Sequence, residues 1–101
     1  MRVEKLGDLA SGDPGRATRA LLHLTYEDPD RCWLEGLLLE QVREGSDPQL
    51  RALAVTCMGH VGRIRGVVSG EVRACLEGLL GDPVLGGIAE DALGDIEFFA
   101  V

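Results

Sequence analysis

Four Asp-Pro pairs divide the chain: Asp13-Pro14, Asp28-Pro29, Asp47-Pro48 and Asp82-Pro83. Each has the chemistry of a helix start. The Asp carboxylate accepts hydrogen bonds from the first backbone N–H groups, which have no partner within the helix. Proline suits the first helical position because the N–H it lacks is unused there. Asp13 and Asp47 are 34 residues apart, and Asp47 and Asp82 are 35 apart. A period of that length points to an array of helical repeats. Laid over one another, the segments align Ala20 with Ala54 and Ala89, Leu24 with Met58 and Leu93, Leu53 with Ile88, Gly59 with Gly94, and Val61 with Ile96.

The spacing predicts a short helix near 2–11, then helices near 14–27, 29–44, 48–65, 69–80 and 83–98. Gly45, Gly66 and Gly81 stand where helices should stop. Val72, Cys75, Leu76, Leu79 and Leu80 form one apolar stripe, and Leu85, Ile88, Ala89, Ala92, Leu93, Ile96 and Phe99 form another. No segment alternates with the period of a strand. The expected fold is all-α: a short right-handed α-solenoid of antiparallel helical hairpins, five to six helices in about two and a half repeats, as a single domain over 1–101. Hydrophobic residues are 46% of the chain and aromatics only 4%, so aliphatic side chains must fill the core, with Leu53 and Leu93 in it. The helix near 29–44 carries Leu34, Leu37, Leu38 and Val42 on one side and Cys32, Gly36 and Leu39 on the other. Two apolar sides suit a helix buried between neighbours, or one that leaves a groove open.

The run Asp47-Pro48-Gln49-Leu50-Arg51, followed by Ala-rich apolar spacing, resembles the first helix of a HEAT repeat, with 69–80 as its second helix. Thr56 to Ile64 and Ala89 to Glu97 together resemble small stand-alone bacterial HEAT-like proteins. Gly86 stands where Arg51 would recur, a departure from the pattern in the third copy. Some proteins of that kind are immunity proteins that neutralise secreted or contact-dependent toxins. The resemblance therefore implies a non-catalytic protein-binding module that blocks a cognate toxin. The alternative is a structural or scaffolding subunit that self-associates.

The net charge of −7 is unevenly spread. Residues 1–26 hold four basic and three acidic groups, and 27–47 hold two basic and seven acidic. Residues 48–76 hold four basic and one acidic, whereas 77–101 hold six acidic groups and no Lys or Arg. Such a surface repels phosphates and favours a basic protein partner, so nucleic acid is not expected. The N-terminal residues lack the apolar core of a signal peptide, and no stretch is long and apolar enough for a membrane span. A cytoplasmic monomer is the expectation.

Cys32, Cys57 and Cys75 are odd in number and form no Cys-x-x-Cys pair, so they are expected to act as small hydrophobes, with no metal or other cofactor. His60 lies three residues after Cys57, but the thiol belongs to the apolar stripe and no third group activates it, so no catalytic residue is expected. Arg63 and Arg65 suit the end of a helix dipole. Two sets of candidate partner-binding residues remain. Glu90, Asp91, Asp95 and Glu97 form an acidic face near the C-terminus. Tyr26 and Trp33, of types favoured as interface anchors, sit beside Glu27, Asp28, Asp30 and Glu35.

Overall fold

Asp13 and Asp47 cap helices as their positions require. The Asp13 carboxylate accepts from the N–H groups of Gly15 and Arg16, and that of Asp47 from Gln49, each with proline at the first helical position. In the computed structural model, residues 2–100 are described. They form α1 (Arg2–Leu9), α2 (Pro14–Glu27), α3 (Arg31–Glu44), α4 (Pro48–Arg65), α5 (Gly70–Leu79) and α6 (Gly86–Phe99), with no strand among the described residues. α4 ends on Gly66, whose φ of 71° is a left-handed conformation that glycine adopts without steric cost.

The other two Asp-Pro pairs depart from expectation. Asp28 is buried, and its carboxylate is taken by the Arg2 guanidinium at 2.7 and 2.8 Å and by the Asp30 N–H at 2.9 Å. The cap of α3 therefore falls to Asp30, which accepts from the Trp33 N–H. Asp82 accepts from the N–H groups of Val84 and Leu85, both at 2.8 Å, and its carbonyl accepts from Gly86. It closes a separate turn, and α6 begins after it at Gly86 without a side-chain cap.

Packing builds two layers. α4 lies between α2 and α6, α3 touches α5, and the layers meet through α1 with α2, α3 with α4 and α5 with α6. The molecule measures 32 × 30 × 18 Å, a slab about two helix diameters thick. The helices thus pair as three hairpins, one helix out of phase with a unit formed by 48–65 and 69–80. Asp-Pro starts fix the period but say nothing about which neighbour completes each unit.

Repeat-equivalent positions occupy the centre. Ala20, Ala54 and Ala89 are buried, as are Leu24 and Met58, and Val61 and Ile96. Leu53 and Leu93 are only half-buried, packed against the core and not within it. α4 and α6 approach closely at two glycines. A Cβ built on Gly59 lies 3.0 Å from the Ala92 Cα, and one on Gly62 lies 2.7 Å from the Ile96 Cγ1.

Polar groups tie the layers together. Glu35 is buried, and its Oε2 accepts from Arg31 at 2.9 Å and from the Ser69 N–H at 3.0 Å, joining α3 to the start of α5. Arg65 donates to the carbonyls of Thr25 and Asp28, so it fastens α4 to the end of α2 beyond any dipole effect. Arg51 donates to the Val42 carbonyl.

Candidate partner-binding surface

The exposed side of α6 is built by helical spacing. Ala89, Ala92 and Ile96 turn inward. Glu90, Gly94 and Glu97, at steps of four and three, point the opposite way, with Asp91 and Asp95 beside them. These four carboxylates line one open groove of about 620 Å³ with Leu80, Leu93 and Gly94. Leu80 is 47% exposed, so the groove presents accessible apolar surface beside its carboxylates. No basic side chain lines it.

Asp95 joins this groove to a second patch. Its Oδ2 comes within 3.4 Å of a Cβ built on Gly59, and its charge acts on His60. Tyr26 on α2 and His60 on α4 bring their rings to 5.6 Å, tilted by 35°. Arg63 donates to the His60 Nδ1 at 2.8 Å, so that nitrogen carries no proton. Partial burial, followed by the Arg63 charge, lowers the His60 pKa below 6.5 despite the opposing pull of Asp95. His60 is therefore neutral at pH 7 and presents an aromatic surface next to the carboxylates.

Trp33 lies elsewhere. It lines a groove of about 420 Å³ with Leu6, Cys32, Gly36, Leu37 and Glu40, between α1 and α3. The Arg2 guanidinium stands 4.0 Å from the Trp33 ring centroid while it pairs with Asp28. Asp30 is exposed at the same corner, 3.8 Å from Arg2. The helix with two apolar sides thus does both things its pattern allowed: Leu34, Leu38, Leu39 and Val42 are buried, and Cys32 and Gly36 open onto the groove.

The structure brings Glu90, Asp91, Asp95 and Glu97 together, sets Tyr26 near them through His60, and puts Trp33 and Asp30 at another corner. Glu35 and Asp28 leave the candidate set, because both are buried and satisfied inside the fold. Their acidity suggested a surface, but each is held by a nearby arginine. Sequence reasoning missed Leu80 and Gly94 as parts of the groove. The signal for Gly94 was present in its alignment with Gly59.

Cys57 is fully buried, and desolvation pushes its thiol up to about 11, so no thiolate faces His60. Among the described residues, no three or more His, Cys, Asp or Glu side chains are placed so that they could hold a metal ion, the four α6 carboxylates included. No helix of the described residues is long and apolar enough to cross a membrane.

Fold and surface define a small all-helical protein whose candidate site is an open acidic face. No family model matches the chain, and no curated protein matches it. A solved structure does. A chain in the crystal structure of a CDI complex from Cupriavidus taiwanensis LMG 19424 has a TM-score of 0.86 and 33% sequence identity, over 98% of this chain and 88% of that one. At that identity and coverage the two share a family, and this chain belongs to the family of that CDI-complex chain.

Proposed function

We propose that the chain is an immunity protein of a contact-dependent inhibition (CDI) system, and that it neutralises a cognate toxin domain by binding it. The observation that carries this reading is the near full-length likeness to a chain crystallised in a CDI complex. The acidic groove on α6 supports it, because it combines accessible apolar area with charged groups, as the surfaces of protein interfaces do. The mechanism is steric: the bound protein covers the toxin's active surface. Carboxylates speed the encounter if that surface is basic, as in an enzyme that handles nucleic acid. In this reading the protein is non-catalytic, HEAT-like in its repeat, monomeric when free, and acts in the cytoplasm, where it meets an incoming toxin.

The test is protection. On this reading a toxin domain is encoded beside this chain's gene; cells that produce it should stop growing, and co-production of this chain should restore growth with a stable one-to-one complex recoverable. If growth is not restored and the purified proteins do not associate, the immunity reading is wrong.

A further inference from the structure

The repeat itself says what the acidic groove corresponds to. With the 35-residue offset that carries Asp47 onto Asp82, Val55, Gly59 and Gly62 of α4 fall on Glu90, Gly94 and Glu97 of α6. On α4 these three positions share one helix face, and that face holds the next helix of its layer. Gly59 lies against Ala92, Gly62 against Ile96, and Val55 is fully buried. On α6 the same face has no following helix. A Cβ on Gly94 meets nothing within 4 Å, and Glu90 and Glu97 are exposed. The groove is therefore the array's unfilled docking face, with two carboxylates where α4 has Val55 and Gly62.

We propose that this face receives a basic segment of the partner protein, laid along α6 where a further helix of the array would lie. The inference rests on the immunity reading for the identity of that partner. Gly94 lets the segment approach the α6 backbone, as Gly59 lets α6 approach α4. Leu80 and Leu93 take the methylene stems of its Lys or Arg side chains, and Glu90, Asp91, Asp95 and Glu97 take the charges. Charge complementarity sets the occupant. Residues 77–101 hold six acidic groups and no Lys or Arg, so two copies of this face repel each other.

The experiment measures binding kinetics of the full chain with the toxin domain encoded beside its gene. Gly94→Leu changes no charge and fills the groove. It should weaken binding at least tenfold through faster dissociation, with an unchanged salt dependence. Glu90→Gln with Glu97→Gln should weaken binding at least tenfold and flatten the salt dependence. Gly94→Ala and thermal melting of each variant verify that the fold is intact. A wild-type chain that does not bind the toxin overturns the immunity reading, and this inference with it. Wild-type binding that neither groove variant alters overturns the docking face alone. So does a concentration-dependent mass of the free chain that Gly94→Leu abolishes, since a second copy is then the occupant.

Discussion

Gly62→Ala and Gly94→Ala make the same chemical change in two α-helices and should shift stability in opposite directions. Alanine is favoured over glycine in a helix interior by about 1 kcal/mol, chiefly because glycine loses more backbone entropy on folding. At Gly94 the new methyl meets no atom within 4 Å, so that gain is realised in full. At Gly62 the methyl lies 2.7 Å from the Ile96 Cγ1 and 3.3 Å from the Ile96 Cα. Ile96 is fully buried and β-branched, so its side chain cannot swing aside, and α6 has to move from α4. Overpacking of this kind costs about 1–3 kcal/mol. Contact with the backbone puts Gly62 at the upper end, for a net loss of about 2 kcal/mol after the helix gain. A domain of this size shifts its melting temperature by about 4–8 °C per kcal/mol. Gly94→Ala should thus melt about 4–8 °C higher and Gly62→Ala about 8–16 °C lower. Differential scanning calorimetry at one protein concentration reads both. A rise in both, or a fall in both, would refute the claim that Gly62 sits at a helix seam and Gly94 on an open face.

Glu35→Ala removes the acceptor of the Ser69 N–H, while Arg31 is partly exposed and can turn to water. The loss should therefore reflect one orphaned donor, about 2 kcal/mol, with Glu35→Gln closer to wild type; a urea midpoint unchanged in Glu35→Ala would exclude that role for the carboxylate. Arg2→Ala should alter the acid limb of stability. The Arg2 hydrogen bonds hold the Asp28 pKa below its ordinary 3.8, against the opposing effect of burial. A depressed carboxylate pKa adds stability that is complete above about pH 4 and lost as pH falls through the folded value. The variant should be less stable at neutral pH and converge with wild type in acid, and parallel stability curves across pH would contradict this. Asp47→Ala should cost about 1 kcal/mol through the lost cap of α4, read as a lower urea midpoint; no change would show that the Gln49 N–H does not depend on that carboxylate.

Much of the fold was legible because its signals are local. A capping Asp, a proline at the first helical position and a glycine at the end act within a single turn. Both boundaries of α4 and the start of α2 follow from them. Where two local signals competed, the sequence could not arbitrate. Asp28 and Asp30 both offer a cap for α3, and the choice is made by Arg2, 26 residues from Asp28 along the chain. The fate of Asp28 and Glu35 was hidden for the same reason. A carboxylate reads as surface until its distant partner is known: for Asp28 that is Arg2, and for Glu35, whose arginine is one turn away, it is the Ser69 N–H 34 residues on. Leu53 and Leu93 show the limit of stripe reading. Periodicity tells which residues share a face, but burial depends on how completely a neighbour covers it. The acidic face on α6 was visible as charge. The share of Leu80 in it was not, because that residue lies outside α6.

The terminal helix of a repeat array has to end a pattern that would otherwise continue. Any polar side chain at the positions of Val55 and Gly62 would make that end soluble. The chain instead carries Glu90 and Glu97 at those positions and Asp91 and Asp95 beside them, with no base lining the groove. Asp91 and Asp95 are one turn apart, a like-charge pair that destabilises a helix by about 0.2–0.5 kcal/mol. Solubility alone does not require that cost, since glutamine or serine would supply it without repulsion. At physiological salt the field of these groups decays over about 8 Å. It therefore acts on a molecule already arriving at this end of the slab and hardly at all on one approaching the Trp33 corner. In the proposed docking, attraction and seating fall on the same helix. Raising salt should slow association with a basic partner without much altering dissociation, unless the carboxylates are buried in the contact, where screening is weak. Dissociation rates measured across a salt series distinguish a rim that only steers from a face that holds.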